Sequence, residues 1–126
     1  MKRVIHTDAA PAAVGAYSQA TTDGALLFTA GQIPLTPEGE LLDDAPIGTQ
    51  TRQCLENVTG ILEEEGLTAE DVLKTTVYLA DIEDFDEMND AYAEYFLDNP
   101  PARSAVQAGA LPRGVGVEIE AVASND

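Results

Sequence analysis

From Val115 to Ala123 the chain reads VGVEIEAVA, an alternation with a period of two. Only an extended strand puts successive side chains on opposite sides, so this run is predicted to be a strand lying on an apolar core. Val115, Val117, Ile119 and Ala121 make one face, and Gly116, Glu118, Glu120 and Val122 the other. Two carboxylates on a strand face read first as a solvated surface, because Glu is seldom buried unpaired. Arg103 sharpens that reading, since it lies nearby in a chain with 6 basic against 23 acidic residues. Pro100 and Pro101 disfavour helix before it, so its guanidinium is presented from the start of an extended segment. A planar, permanently charged fork suits a carboxylate. Between the two runs, Leu111-Pro112-Arg113-Gly114 is a turn signal that makes a hairpin one available pairing. With Pro112 and Arg113 at its centre, Gln107 falls opposite Glu118 and Arg103 opposite Val122. Arg103 and Glu118 are then about 13 Å apart along the sheet, too far for one small molecule to touch both. Either the strands pair differently, or a site using both groups borrows one from a neighbouring subunit.

Two stripes of helical period fill the middle of the chain. Over Thr49–Glu65, Cys54, Leu55, Val58, Ile61 and Leu62 recur on one side, and Gly66 supplies a stop. Asp84 and Glu87 read as a capping pair opening a second helix with Phe85, Met88, Tyr92, Tyr95 and Phe96 as its aromatic stripe. Asn89 sits one position from that stripe. The β-rich run Val72–Leu79 follows a capped turn at Thr68–Asp71 and is a central strand candidate. At the N-terminus, Arg3–His6, Val14–Ala20 and Leu26–Ala30 read as extended, with Asp23-Gly24 as a turn. Ile33–Gly48 is a long acidic surface excursion. Two amphipathic helices need one apolar sheet face to cover, which gives an α+β two-layer sandwich. Leu26/Leu27 and Val72/Leu73 put apolar residues on both sides of the strands, so the second face is expected to pack on another subunit.

At 126 residues, positions 1–126 are expected to form one domain. A net charge of −17 disfavours a nucleic-acid partner and fits either a protein adapted to high salt or an ordinary acidic cytosolic protein. Cys54 is the one cysteine and reads as a small core residue; His6 is the one histidine and reads as a strand-end residue. Together they give little material for a zinc site or a Ser-His-Asp triad. The chain shows no signal-peptide pattern after Met1-Lys2-Arg3 and no run long enough to span a bilayer, so a cytoplasmic location without membrane contact is expected.

The segments APAAVGAYSQA, LLFTAGQIPL, QTRQCLENV, TTVYLADIEDF, MNDAYAEYF, PPARSAVQAGALP and VEIEAVA, in this order over essentially the whole chain, resemble the RidA/YjgF family. That resemblance implies a chorismate-mutase-like α+β fold, two helices on a mixed sheet, and a homotrimer whose sheets form a central barrel with ligand clefts between subunits. It also implies cofactor-free, metal-free hydrolysis of reactive 2-imino and 2-enamino acids, of the 2-aminoacrylate and 2-iminopropionate type, to 2-keto acid and ammonia, the reaction of a 2-iminobutanoate/2-iminopropanoate deaminase. By position, Arg103 matches the arginine that grips the substrate carboxylate, and Glu118 the acid that positions or activates water. Tyr17 matches the cleft tyrosine, Gly31 and Asn89 match cleft-lining positions, and the backbone of Ala105 is placed near the imine carbon. The chain departs from the family pattern at Ala16 (usually proline), Ala30 (often serine), Ala105 (usually cysteine in the deaminating branch) and in a shortened loop before Arg103. A binding protein that senses a metabolite in the same cleft is the competing reading.

Overall fold

The computed structural model describes residues 1–126 and contains six strands and two α-helices joined by turns and short 3-10 segments. In chain order these are β1 (Arg3–Ile5), β2 (Ala20–Thr22), β3 (Leu26–Thr29), α1 (Ile47–Glu64), β4 (Val72–Leu79), α2 (Phe85–Ala93), β5 (Ala102–Gln107) and β6 (Val117–Ser124). They form one mixed sheet in the order β1-β2-β3-β6-β4-β5 with both helices on one face. The predicted sandwich of two helices on a mixed sheet is therefore present.

The stripe on α1 packs as its spacing requires. Cys54, Leu55, Val58, Ile61 and Leu62 are all buried, and they meet Leu27, Val77, Val117, Ile119 and Ala121 from the sheet. Full burial of side chains of this size contributes roughly 1.5–3 kcal/mol each before the entropy of ordering them is subtracted. Burial also pushes the Cys54 thiol pKa up, which suits a packing role and opposes thiolate chemistry. Gly66, with φ +73, ends the α1 region as expected. Thr68 and Asp71 form the predicted capped turn: Thr68 Oγ1 accepts from the Glu70 N–H at 3.3 Å and Asp71 Oδ2 from the Thr68 N–H at 2.8 Å.

Four expectations are corrected. The hairpin between β5 and β6 does not form: β4 lies between them, antiparallel to β6 and parallel to β5. Gln107 pairs with Leu79, not with Glu118, and Arg103 pairs with Thr75, not with Val122. The aromatic stripe of α2 is the reason, because burying it places α2 as the crossover between β4 and β5, and a helical crossover joins parallel strands. Asp84 and Glu87 do not cap α2, which has no side-chain cap. Glu87 instead reaches the start of the other helix, where its carboxylate accepts from the Gly48 N–H at 3.0 Å. Tyr95 and Phe96 lie beyond the end of α2, although both still pack on its cluster. Of the expected extended run Val14–Ala20 only Ala20 is strand, at the start of β2, because Gln19 satisfies the preceding loop. Its side chain accepts from Thr7 N–H at 2.7 Å and donates to the carbonyls of Thr7, Ala10 and Pro11. Backbone groups tied this way need no sheet partner.

The second sheet face carries no helix. Across it run two rows: Val4, Thr21, Phe28, Val122, Lys74 and Ala102, then Glu118, Tyr78 and Val106. Val4, Phe28 and Val106 are exposed on it. The face is thus a mixture of exposed apolar side chains with Thr21, Lys74, Tyr78 and Glu118.

Candidate functional site

Parity along the strands sorts the candidate residues onto opposite sides of the sheet. Arg103 shares a row with Thr75 and Ala121, both buried under the helices. Glu118 shares its row with Tyr78 and Val106 on the open face. The two residues are two strands apart, about 10 Å, and three positions apart along the sheet, about 10 Å. Within one protomer they cannot touch the same small molecule, because the sheet itself separates them.

Arg103 is half-buried at the edge strand β5. Its Nη1 donates to Asn89 Oδ1 at 2.8 Å, and the guanidinium lies 4.7 Å from the Tyr92 ring centroid and 5.3 Å from that of Phe85. Phe85, Asn89 and Tyr92 stand at i, i+4 and i+7 on α2, one helical face, so the helix presents the whole support at once. Tyr92 is fixed in turn by a 2.6 Å hydrogen bond between its hydroxyl and that of Thr75. Burial raises the Tyr92 pKa, so the ring stays neutral. No carboxylate lies within 4.0 Å of Arg103, in contrast to Arg3 and Arg52, whose guanidinia are each paired with a glutamate. Arg103 lines a cavity of about 380 Å³ between α2 and the Pro100-Pro101 turn. Ala105, two positions along the same side of β5, packs on the helix-side cluster.

On the open face a second cavity, about 420 Å³, is lined by Tyr17, Ala30, Gly31, Ile33, Pro112 and Glu118. The Glu118 carboxylate lies against Gly31 so closely that a Cβ there would overlap its Oε2 and approach Cδ to 2.9 Å. Gly31 is thus a space requirement of the acid, not a turn requirement of the chain. Burial pushes the Glu118 carboxyl above the usual carboxylate range, and the neighbouring Glu120 adds to the shift. Glu120 itself accepts from the Tyr78 hydroxyl at 3.2 Å. Tyr17 is 52% exposed, and its hydroxyl accepts from the Val14 N–H at 3.4 Å.

The six candidates therefore form two groups: Arg103, Asn89 and Ala105 on the helix side, Glu118, Gly31 and Tyr17 on the open side. Sequence reasoning missed Phe85 and Tyr92 as the platform for the arginine. Their spacing with Asn89 carried the signal, but a stripe of this kind reads as core. It also missed Pro112, which lines the open-side cavity.

The geometry has close counterparts among known proteins. The family model described as endoribonuclease L-PSP matches residues 7–125. A RutC family protein of Pyrococcus horikoshii is 51% identical over 98% of both chains. The human 2-iminobutanoate/2-iminopropanoate deaminase is 44% identical over 98% of this chain and 90% of its own. Among solved structures, the E. coli YjgF gene product superposes with a TM-score of 0.93 at 41% identity, covering 98% of this chain and 99% of that one. E. coli TdcF with bound serine has the same TM-score at 40% identity and the same coverage.

Proposed function

The chain belongs to the RidA/YjgF family, the one described as endoribonuclease L-PSP, and on that premise we propose that it hydrolyses 2-imino and 2-enamino acids to 2-keto acids and ammonia. The site is a cleft between two protomers of a homotrimer, with Arg103 supplied by one and Glu118 by the next. The observation that carries this reading is the separation of an unpaired, half-buried guanidinium and a carboxyl of raised pKa on opposite sides of one sheet. The exposed apolar residues Val4, Phe28 and Val106 support an assembly that covers the open face.

In the proposed reaction the substrate carboxylate takes two parallel hydrogen bonds from Arg103, while Asn89 and the aromatic rings hold the guanidinium in place. The backbone of Ala105 borders the imine carbon. From the neighbouring protomer, Tyr17 and Gly31 shape the cleft and Glu118 holds a water. An iminium carbon is already electrophilic, so the water needs orientation and a modest base. Water oxygen bonds to C2, the C=N electron pair moves to nitrogen, and Glu118 takes the water's proton. The proton then passes to the amine, the Glu118 carboxylate takes the proton of the C2 hydroxyl as it becomes a carbonyl, and the C–N bond breaks with its electron pair leaving on ammonia. A raised Glu118 pKa suits both halves of this exchange. None of these steps uses a thiol, so Ala105 in place of the usual cysteine is compatible with them.

Arg103→Ala is expected to lower 2-iminopropionate hydrolysis at least about a hundredfold, the loss of two charge-assisted hydrogen bonds. The rate is read as imine decay generated by an amino-acid oxidase, and sedimentation should show an unchanged trimer. A variant with wild-type rates overturns the assignment. The serine bound to the TdcF relative favours a second reading, a cleft that binds small amino or keto acids without turnover. A wild-type protein that binds 2-oxobutyrate by calorimetry yet leaves imine decay unaccelerated would decide for it.

A further inference from the structure

The chain has four arginines. Arg3 and Arg52 are consumed by two-pronged pairs with Glu65 and Glu94. Arg103 lines the helix-side cavity. The fourth, Arg113, has no carboxylate within 4.0 Å and lines a third cavity, about 190 Å³, together with Tyr17, Gly31 and Gln32. That cavity shares Tyr17, Gly31, Ile33 and Pro112 with the one lined by Glu118, so the two adjoin.

Arg113 is the only charged residue in the wall of the third cavity. Two of the other side chains there already donate within the protein, while the Tyr17 hydroxyl accepts from the Val14 N–H. Gln19 gives its amide to three loop carbonyls, and Gln32 donates to the Ala30 carbonyl. A protein of net charge −17 has carboxylates in excess for pairing with a guanidinium, yet this exposed one has no carboxylate partner, and the cavity it lines shares four wall residues with the one lined by Glu118. The backbone at Arg113 is left-handed, φ 58 and ψ 19, a conformation that costs a non-glycine residue roughly 1–2 kcal/mol. It sits between Pro112 and Gly114 in a 3-10 turn that fixes where the side chain leaves the backbone.

We propose that Arg113 is a specificity-determining residue that takes the distal carboxylate of a 2-imino dicarboxylate, extending the substrate range of the site beyond small neutral side chains. This rests on the deaminase reading above, and it places the three charged contacts in sequence along one molecule. The 1-carboxylate meets Arg103 of one protomer, C2 meets the water on Glu118 of the other, and the side-chain carboxylate continues into the cavity walled by Arg113. The bond changes are those already given, water adding at C2 and ammonia leaving, with a 2-oxo dicarboxylate as the product. A guanidinium left open rewards the substrate that fills it, whereas a neutral side chain leaves its donors to solvent.

The test compares 2-iminoglutarate, generated by an L-glutamate oxidase, with 2-iminobutyrate, generated by an L-amino-acid oxidase, on the intact protein. Arg113→Ala should reduce kcat/KM for 2-iminoglutarate about tenfold, through KM, and change that for 2-iminobutyrate less than about twofold. Arg113→Lys should recover part of the loss. Equal effects on both substrates, or wild-type hydrolysis of 2-iminobutyrate alone, overturn the role of Arg113 and leave the deaminase reading standing. If neither imine is turned over, the deaminase reading fails, and calorimetry decides the inference separately. 2-Oxoglutarate should then bind about tenfold tighter than 2-oxobutyrate, with the difference lost in Arg113→Ala, and equal affinities overturn it.

Discussion

The two sides of the sheet hold their charged groups by different means. On the helix side, Arg103 is fixed by contacts made within the protomer: an amide oxygen at 2.8 Å and two aromatic faces carried on one helix. These partners are neutral, so the guanidinium is oriented while its charge stays available. On the open side, Glu118 is held by shape, resting on a glycine and raised in pKa by burial and by Glu120. Orientation of a cation is complete in one chain, whereas the acid sits in a half-walled hollow. The contrast teaches that a single protomer can prepare both groups and still be unable to use them together.

The strongest way to break that comparison is to disable each side in a different chain. Arg103→Ala and Glu118→Gln should each be inactive alone. Co-expressed so that trimers mix at random, they should recover about a quarter of the wild-type sites, those with an intact arginine from one chain and an intact acid from the next. Imine decay in purified mixed trimers measures this, and no recovery would place both groups in one chain's site.

A smaller effect is expected at Gly31. Because an added Cβ overlaps the end of the Glu118 side chain and not the backbone, the fold can accommodate Gly31→Ala by moving the carboxylate. We expect a loss of about tenfold to a hundredfold in kcat, with the unfolding midpoint little changed. Unaltered kcat would mean that the position of the acid does not matter.

Smallest, and readable in the wild type, is the pH dependence. If Glu118 acts as the base, the acidic limb of the kcat/KM profile should lie above the ordinary glutamate range. Glu120→Gln should move it down by removing the second cause of the shift. The sign for stability is the reverse of the usual carboxylate. With its folded pKa raised, Glu118 contributes stability below its unfolded pKa and loses it as pH rises through the folded value. Glu118→Gln should therefore unfold at a higher temperature than wild type at neutral pH, with the advantage disappearing in acid. A variant less stable than wild type at neutral pH would show that the acid is satisfied where it sits.

Much of this architecture is written in local pattern. The α1 stripe and the alternation of β6 follow from side-chain period, because burial rewards residues spaced to share a face, and the limits of β4 follow from its β-rich composition. The ordered set of segments from Ala10 to Ala123 was enough to indicate the family, and with it the six candidate positions. The platform for Arg103 was also present, as Phe85, Asn89 and Tyr92 at helical spacing, but aromatic stripes serve cores so often that the pattern alone does not single it out.

Periodicity says which residues of a strand share a face and nothing about which strand lies next to it. The chain alone therefore determined two amphipathic helices, an alternating acidic strand and a guanidinium entering an extended segment. Only the tertiary structure decided that β4 separates β5 from β6, that Glu87 caps the opposite helix, and that Arg103 and Glu118 look away from each other. Those outcomes depend on the crossover made by α2, whose position is set by burying its apolar face on strands far from it in sequence, a long-range balance of packing that no local window contains.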